Sequence, residues 1–235
     1  MSKTPTASAS KPRRPVGRPR GDGKPHLTRQ RVFEACTRLI AQHGFAGASI
    51  RMMANALDAS PASLFNLFGS KDGLLNELID YAAQPSLTFY QALLEVDVAP
   101  EIQLYKSIYE EVVAVASADR DFVGIFYLPE LRKPQFESAQ AVRARMVAHY
   151  AKLIERCVET GVVETVSVEL SAEQIFQLTE TSILAPQLSS TLPPKAQAKE
   201  TAEFCLRALC FDQHRLGAIQ NAAAKIELSI ELPSA

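Results

Sequence analysis

Ser60, Ala62, Ser63, Phe65 and Asn66 crowd one short stretch whose side chains suit the edges of base pairs. Asn offers the donor and acceptor that match adenine in a major groove, Ser bonds either kind of edge, and Ala suits a thymine methyl. Ser49 and Arg51 upstream and Lys71 downstream are types that bond phosphate oxygens. Phe65 could pack against a sugar or stay partly buried, and both readings remain open. A second set, Arg13, Arg14, Arg18 and Arg20, lies among prolines near the N-terminus. Together these types describe grip on a polyanion with some reading of its bases.

The elements that must hold them follow from spacing. Ile50, Met53, Ala54 and Leu57 fall at i, i+3, i+4 and i+7, one apolar stripe on one short helix. Asp58-Ala59 breaks the pattern. Ser60, a favoured N-cap, and Pro61, tolerated at the first helical position, start a second helix that turns Leu64 and Phe68 inward. Two such helices and a tight turn make a helix-turn-helix, whose second helix enters a DNA groove. The turn needs a positive φ, which Asp58 tolerates better than most residues but less well than Gly. Ahead of it, a helix from about Thr28 to His43 faces Val32, Cys36, Leu39 and Ile40 inward and stops at Gly44. Behind it, Ser70 caps a fourth helix reaching about residue 83, with Leu74, Leu75, Leu78, Ile79 and Ala82 on its apolar side.

Residues 28 to 83 resemble the DNA-binding domain of the TetR family of bacterial transcriptional regulators, through Gly44, Ala54, Ser60, Leu64, Phe65, Phe68, Lys71 and Leu74-Leu75. Three positions depart from the family pattern. Asp58 stands where Gly is usual, Phe65 for Tyr and Leu67 for His; the two usual aromatic side chains can bond phosphate and these cannot. The resemblance implies that the amino end of the first helix, at Thr28, and Lys71 approach phosphates, with a solvated surface lysine as the plain alternative for Lys71. It also implies a homodimer built through C-terminal helices, a palindromic operator, and a small, mostly hydrophobic effector that changes the spacing of the two heads.

The N-terminal arm supplies a compensating grip. Residues 1 to 31 hold nine basic side chains against one acid, Asp22, for +8; the rest carries 16 basic and 25 acidic groups, −9, and the whole chain is −1. A near-neutral total thus hides a cationic arm on an acidic body, which points to a polyanion at one end only. Gly17-Arg18-Pro19 within the arm resembles an AT-hook core. Pro keeps its neighbour extended, and narrow A·T-rich minor grooves attract inserted Arg. The alternative is a disordered solubilising tail. Five prolines between residues 5 and 25 forbid the amphipathic helix of a transit peptide, and the arm lacks the apolar core of a secretory signal.

At 47% hydrophobic residues the chain can bury a sizeable core, and no apolar run approaches the 18 residues of a membrane span. Cys36, Cys157, Cys205 and Cys210 have no zinc or redox spacing, so we expect a reducing, cytoplasmic setting, with Cys36 and Cys157 as core thiols. No phosphate loop, nucleophile elbow or metal-binding His pair is present, and no cofactor, metal or catalytic role is expected.

From Pro85 onward the character turns acidic. The expected division is an arm over 1–26, a head over 27–83 and an effector-binding and dimerisation body over 84–235. The body should be all-α, with helices near 86–96, 101–118, 135–160, 171–188 and 195–211, and Val162 to Leu170 as a possible short strand. Tyr105, Tyr109, Phe122, Phe126 and Phe176, with Phe89, Tyr90 and Tyr127, supply aromatic material for an apolar pocket; each taken alone also fits ordinary packing. The reading that results is an all-α, ligand-responsive transcriptional repressor. The alternatives are an architectural DNA-binding protein of low specificity and, with no residues to support it, an all-α enzyme.

Overall fold

The computed structural model describes residues 27–165, 167–181, 192–209 and 211–233. Arg13, Arg14, Arg18, Arg20, the arm and Cys210 lie outside the described residues. Among the described residues there is no strand, and no helix is long and apolar enough to cross a membrane.

Four helices make the head: α1 (Arg29–Gly47), α2 (Ile50–Ala56), α3 (Pro61–Phe68) and α4 (Lys71–Leu94). Each begins on a hydroxyl cap. Thr28 accepts from the Arg31 amide at 3.4 Å, Ser49 from Met52 at 3.2 Å, Ser60 from Ser63 at 3.1 Å and Ser70 from Gly73 at 2.9 Å. Each such cap is worth about 1 kcal/mol and fixes where its helix starts. Regular helix in α1 is interrupted at Gly44, whose φ of 68° bends the chain into a last short turn ending at Gly47.

The sequence predicts two helices on either side of residues 84 and 85; the structure has one. α4 runs unbroken through Pro85, so the expected division between head and body falls inside a helix. Pro in a helix interior costs about 3 kcal/mol. Ala82, Ala83, Ser86, Leu87, Phe89 and Tyr90 around it are all buried, and Leu87 and Phe89 alone gain about 1.5–3 kcal/mol each by burial. Packing therefore outweighs the lost hydrogen bond.

The body comprises α5 (Pro100–Ser117), α6 (Arg120–Gly124) followed by two 3-10 turns (Ile125–Tyr127, Pro129–Arg132), α7 (Glu137–Glu159), α8 (Val168–Thr179), α9 (Pro194–Ala208) and α10 (Leu216–Ala223). α5 runs through its middle with α7, α9 and α10 against it. Gln103 on α5 donates to the carbonyls of Leu93 and Val96, both at 2.9 Å, and so satisfies the end of α4. Residues 162–165 are irregular, and the Glu164 amide bonds the Leu209 carbonyl at 3.1 Å, which leaves no strand there among the described residues. The helix expected over 171–188 starts earlier, on the Ser167 cap, and α8 ends at Thr179; α10 was not anticipated.

Two apolar clusters result. One joins α1–α4 to α6, the start of α7 and the C-terminal segment; the other joins α5, the rest of α7, α8, α9 and α10. After α10 the chain continues without regular structure, and Ile226, Leu228, Ile230 and Leu232 alternate onto the first cluster.

Candidate nucleic-acid interface and effector cavity

The turn between α2 and α3 contains the only positive φ found on a non-glycine among the described residues, 51° at Asp58. Local sequence thus sets the geometry: α2 ends, Asp58 reverses the chain, and the Ser60-Pro61 pair starts α3. Leu64 and Phe68 are buried beneath it. Ala62, Phe65 and Asn66 are exposed on the opposite side, Phe65 by 50%. Half exposure leaves the Phe65 ring outside the core of the head. Ser63 is half-buried, and its hydroxyl lies 2.8 Å from that of Ser60, so the cap and a base-reading candidate share one hydrogen bond. Ser49, Arg51 and Ser60 are exposed.

Lys71 has intramolecular partners. Its ammonium bonds the carbonyl of Phe45 closely and that of Ala46 at 3.4 Å, and sits 4.2 Å from the centre of the Phe45 ring. Lys71 therefore ties the start of α4 to the end of α1. A second tie uses Arg29, which pairs with Glu77 of α4 at 2.8 Å and stacks 5.6 Å over Phe68 of α3. The α3–α4 link is tight as well. A methyl group on Gly73 would run into the Phe68 carbonyl oxygen, a constraint that nothing in the sequence pattern signals.

Under the head, a cavity of about 550 Å³ opens between α4, the turn region 123–132, α7 and α8. Of the five aromatic residues expected to line a pocket, Phe126 and Phe176 do. Phe122 is in the first core cluster, and Tyr105 and Tyr109 stack on each other in the second at 6.1 Å between ring centres, so these three are packing residues. Tyr127, Leu128, Met146 and Leu232 complete much of the apolar wall. Aromatic type alone gives no facing direction; Tyr105 and Phe122 are buried in α5 and α6, and Tyr109 is partly buried beside Tyr105.

The polar part of the wall went unnoticed in the sequence because acidic residues are common throughout the body. Glu111 is only 4% exposed and accepts from the Tyr90 hydroxyl at 2.8 Å and from Ser86 at 3.2 Å. Burial raises its carboxyl to about 7 despite those two hydrogen bonds. Glu180, bonded by the Tyr127 hydroxyl, is likewise raised to about 7 by burial. Behind Tyr90, His149 stacks on its ring at 3.9 Å and bonds Ser107 at 2.8 Å; burial lowers this imidazole to about 3, so it is neutral. Cys36, Cys157 and Cys205 are buried free thiols, each pushed up to about 12 by desolvation, a state that resists oxidation.

Comparison with known proteins agrees with the head geometry. Residues 32–78 match the family model "Bacterial regulatory proteins, tetR family". The chain carries a TetR-family domain. A curated relative, the HTH-type transcriptional repressor AcnR of Corynebacterium glutamicum, is 33% identical over 75 residues, a match covering 31% of this chain and 40% of that protein. The chain thus matches well under half the length of this relative. Among solved structures, Mycobacterium smegmatis AmtR superposes with a TM-score of 0.68 at 23% identity, covering 93% of this chain and all of that one. AibR, solved with isovaleryl coenzyme A and operator DNA, superposes at 0.65 with 16% identity, over 75% of this chain and 97% of that one. At these identities the structural likeness extends the TetR-type fold through the body.

Proposed function

We propose that this TetR-type chain is a sequence-specific DNA-binding transcriptional repressor. It acts as a homodimer on a palindromic operator and lets go when a small, mostly apolar effector fills the cavity between α4 and α8. One observation carries the reading: α3 buries Leu64 and Phe68 and presents Ala62, Phe65 and Asn66 outward from a hydroxyl-capped start. A short helix with that division is suited to a major groove. The likeness to AcnR, a transcriptional repressor, supports the DNA-binding half of the proposal, and the likeness to AibR, solved with isovaleryl coenzyme A and operator DNA, supports a fold that takes both DNA and an organic ligand.

Asn66 and Ser63 read base edges; Ser49, Arg51 and the amides opening α2 and α4 hold phosphates; Thr28 marks the end of α1 nearest the backbone. Arg13, Arg14, Arg18 and Arg20 follow the minor groove beside it. Lys71, bonded to Phe45 and Ala46, contributes by orienting α4. Exposed Leu170 on α8 and Phe204 on α9, with the groove between Ile175, Leu178 and Ala208, offer an apolar face for a second copy. Effector and DNA communicate through α4, which carries Ala82, Ala83 and Ser86 in the cavity wall and ends at the head.

Selection of bound genomic fragments followed by anisotropy titration tests this. Asn66→Ala should change base preference, whereas Arg18→Ala should weaken all sequences alike and lower the salt slope by about one. Equal loss on selected and random duplexes for Asn66→Ala would remove its reading role, and a specificity ratio near unity for the native chain at fixed salt would favour an architectural protein instead.

A further inference from the structure

Two carboxyl groups face a cavity that is otherwise mostly apolar. Glu111 stands on its α4–α5 side and Glu180 at the end of α8. Neither has a cation in its own hydrogen-bond shell among the described residues. Glu111 is held by two hydroxyls, Tyr90 and Ser86, and Glu180 by the Tyr127 hydroxyl. Arg143 and Arg132 also line the cavity, and the charge of Arg143 opposes part of the rise at Glu180. Both are exposed; Arg143 is paired with Glu173 and lies 5.2 Å over the Phe176 ring. The most deeply buried charge on the wall is therefore acidic, that of Glu111, while the arginines are on exposed side chains.

A buried carboxyl with no countercharge is costly in its ionised form and regains that cost only when a cation is brought against it. We infer that the effector of this cavity carries a basic nitrogen, a protonated amine on a mostly apolar body, seated between Glu111 and Glu180. This rests on the reading of the cavity as the effector site. An anionic head would meet two acids in the wall, one of them deeply buried, and could pair only with the exposed Arg132 and Arg143, the second already paired with Glu173. A neutral ligand would gain burial but leave both acids as they are. The ammonium supplies donors to the carboxylate lone pairs that the hydroxyls leave unused, while the apolar body lies along Phe126, Met146, Phe176 and Leu232.

The groups facing these acids also set a pH dependence. Around Glu111 they are Ser86 and Tyr90 from α4, Tyr127, Tyr150 from α7 and Glu180 at the end of α8; around Glu180 they are Tyr127, Arg143, Glu173 and Glu111. Both acids share their proton with solvent near neutrality, so an ammonium ligand expels protons as it binds. Affinity for an amine should rise between pH 6 and 8, a range in which affinity for an alcohol stays level.

Three probes with one skeleton decide the matter: 4-phenylbutylamine, 4-phenylbutan-1-ol and 4-phenylbutanoate, titrated calorimetrically into the full chain in two buffers of different ionisation enthalpy. The amine should bind at least about tenfold more tightly than the alcohol, as a charged hydrogen-bonded pair requires, and should release protons near pH 7. Glu180→Gln should cut that preference to near unity while leaving the alcohol unchanged. Glu111→Gln, checked for folding by its melting curve, should do the same. Amine and alcohol binding alike, or a preference that survives both substitutions, overturns the inference while the cavity keeps its role. Binding by none of the three overturns the inference together with the cavity reading beneath it.

Discussion

Gly73→Ala is expected to destabilise the head, against the usual rule for a helix. Replacing Gly by Ala inside a helix ordinarily gains about 1 kcal/mol. At Gly73 the new Cβ collides with the Phe68 carbonyl oxygen, the backbone of the preceding helix, which cannot rotate aside as a side chain can. Overpacking of this kind costs about 1–3 kcal/mol, and a contact against backbone belongs at the upper end. The net loss is then about 1–2 kcal/mol, which for a chain of this size lowers Tm by roughly 2–8 °C. Gly217→Ala in α10 is the control, because a Cβ there meets nothing within 4 Å. It should raise Tm by roughly 1–4 °C. Both are read by calorimetry at one protein concentration, since association would otherwise shift the midpoint. Because relief of the clash must push α3 away from α4, Gly73→Ala should also weaken binding to the selected duplex. If Gly73→Ala melts at or above the native chain, the close approach of α3 and α4 is refuted.

Two further outcomes follow from burial. With the Glu111 carboxyl raised from 4.5 to about 7, the folded protein keeps a proton there that the unfolded chain has lost. Its contribution to stability therefore falls as pH rises from about 4.5 to about 7 and is level above, with a slope of up to about 1.4 kcal/mol per pH unit. Melting curves between pH 5 and 8 should be flatter for Glu111→Gln than for the native chain; His149, lowered to about 3, acts with the opposite sign below pH 6.5 but equally in both proteins. Parallel profiles would mean that Glu111 is not buried as described. Ile230→Ala should cost about 2–5 kcal/mol in a denaturant titration, because Ile230 is buried against the first cluster; a loss below about 0.5 kcal/mol, the level of an ordinary surface change, would show that the C-terminal segment does not pack there.

Much of the head was legible because its determinants are local. Thr28, Ser60 and Ser70 act as caps within three residues of themselves, Gly44 takes its positive φ in the same turn that it ends, and the Asp58 reversal is enforced by its immediate neighbours. Apolar spacing likewise located α5, α7 and α9 to within a few residues. What escaped depends on distant partners. Pro85 argues for a break on propensity, and only the burial of Leu87, Phe89 and Tyr90 against other helices keeps α4 whole. Lys71 shows only its charge in the sequence, and its ties to the Phe45 and Ala46 carbonyls depend on the folded end of α1. Glu111 is one acid among many in the sequence and becomes distinctive only by being enclosed. Ile226, Leu228, Ile230 and Leu232 alternate with the period of a strand, yet here the row lies on helices.

Pro85 gives α4 a mechanical character that an unbroken set of rungs would not. It sits between Ala83 and Ser86, both in the cavity wall, and removes one backbone donor at that level. From there to Lys71 the helix is a lever of roughly 21 Å at 1.5 Å per residue. Flexing by about 5° at the softened rung swings the far end of a rod of that length by roughly 2 Å. Lys71 and Arg29 clamp that end to α1 and α3, so the swing carries the whole head as one piece. Two such levers swinging outward would widen the gap between paired heads by roughly 4 Å, more than half a base-pair step of 3.4 Å in reach on each side.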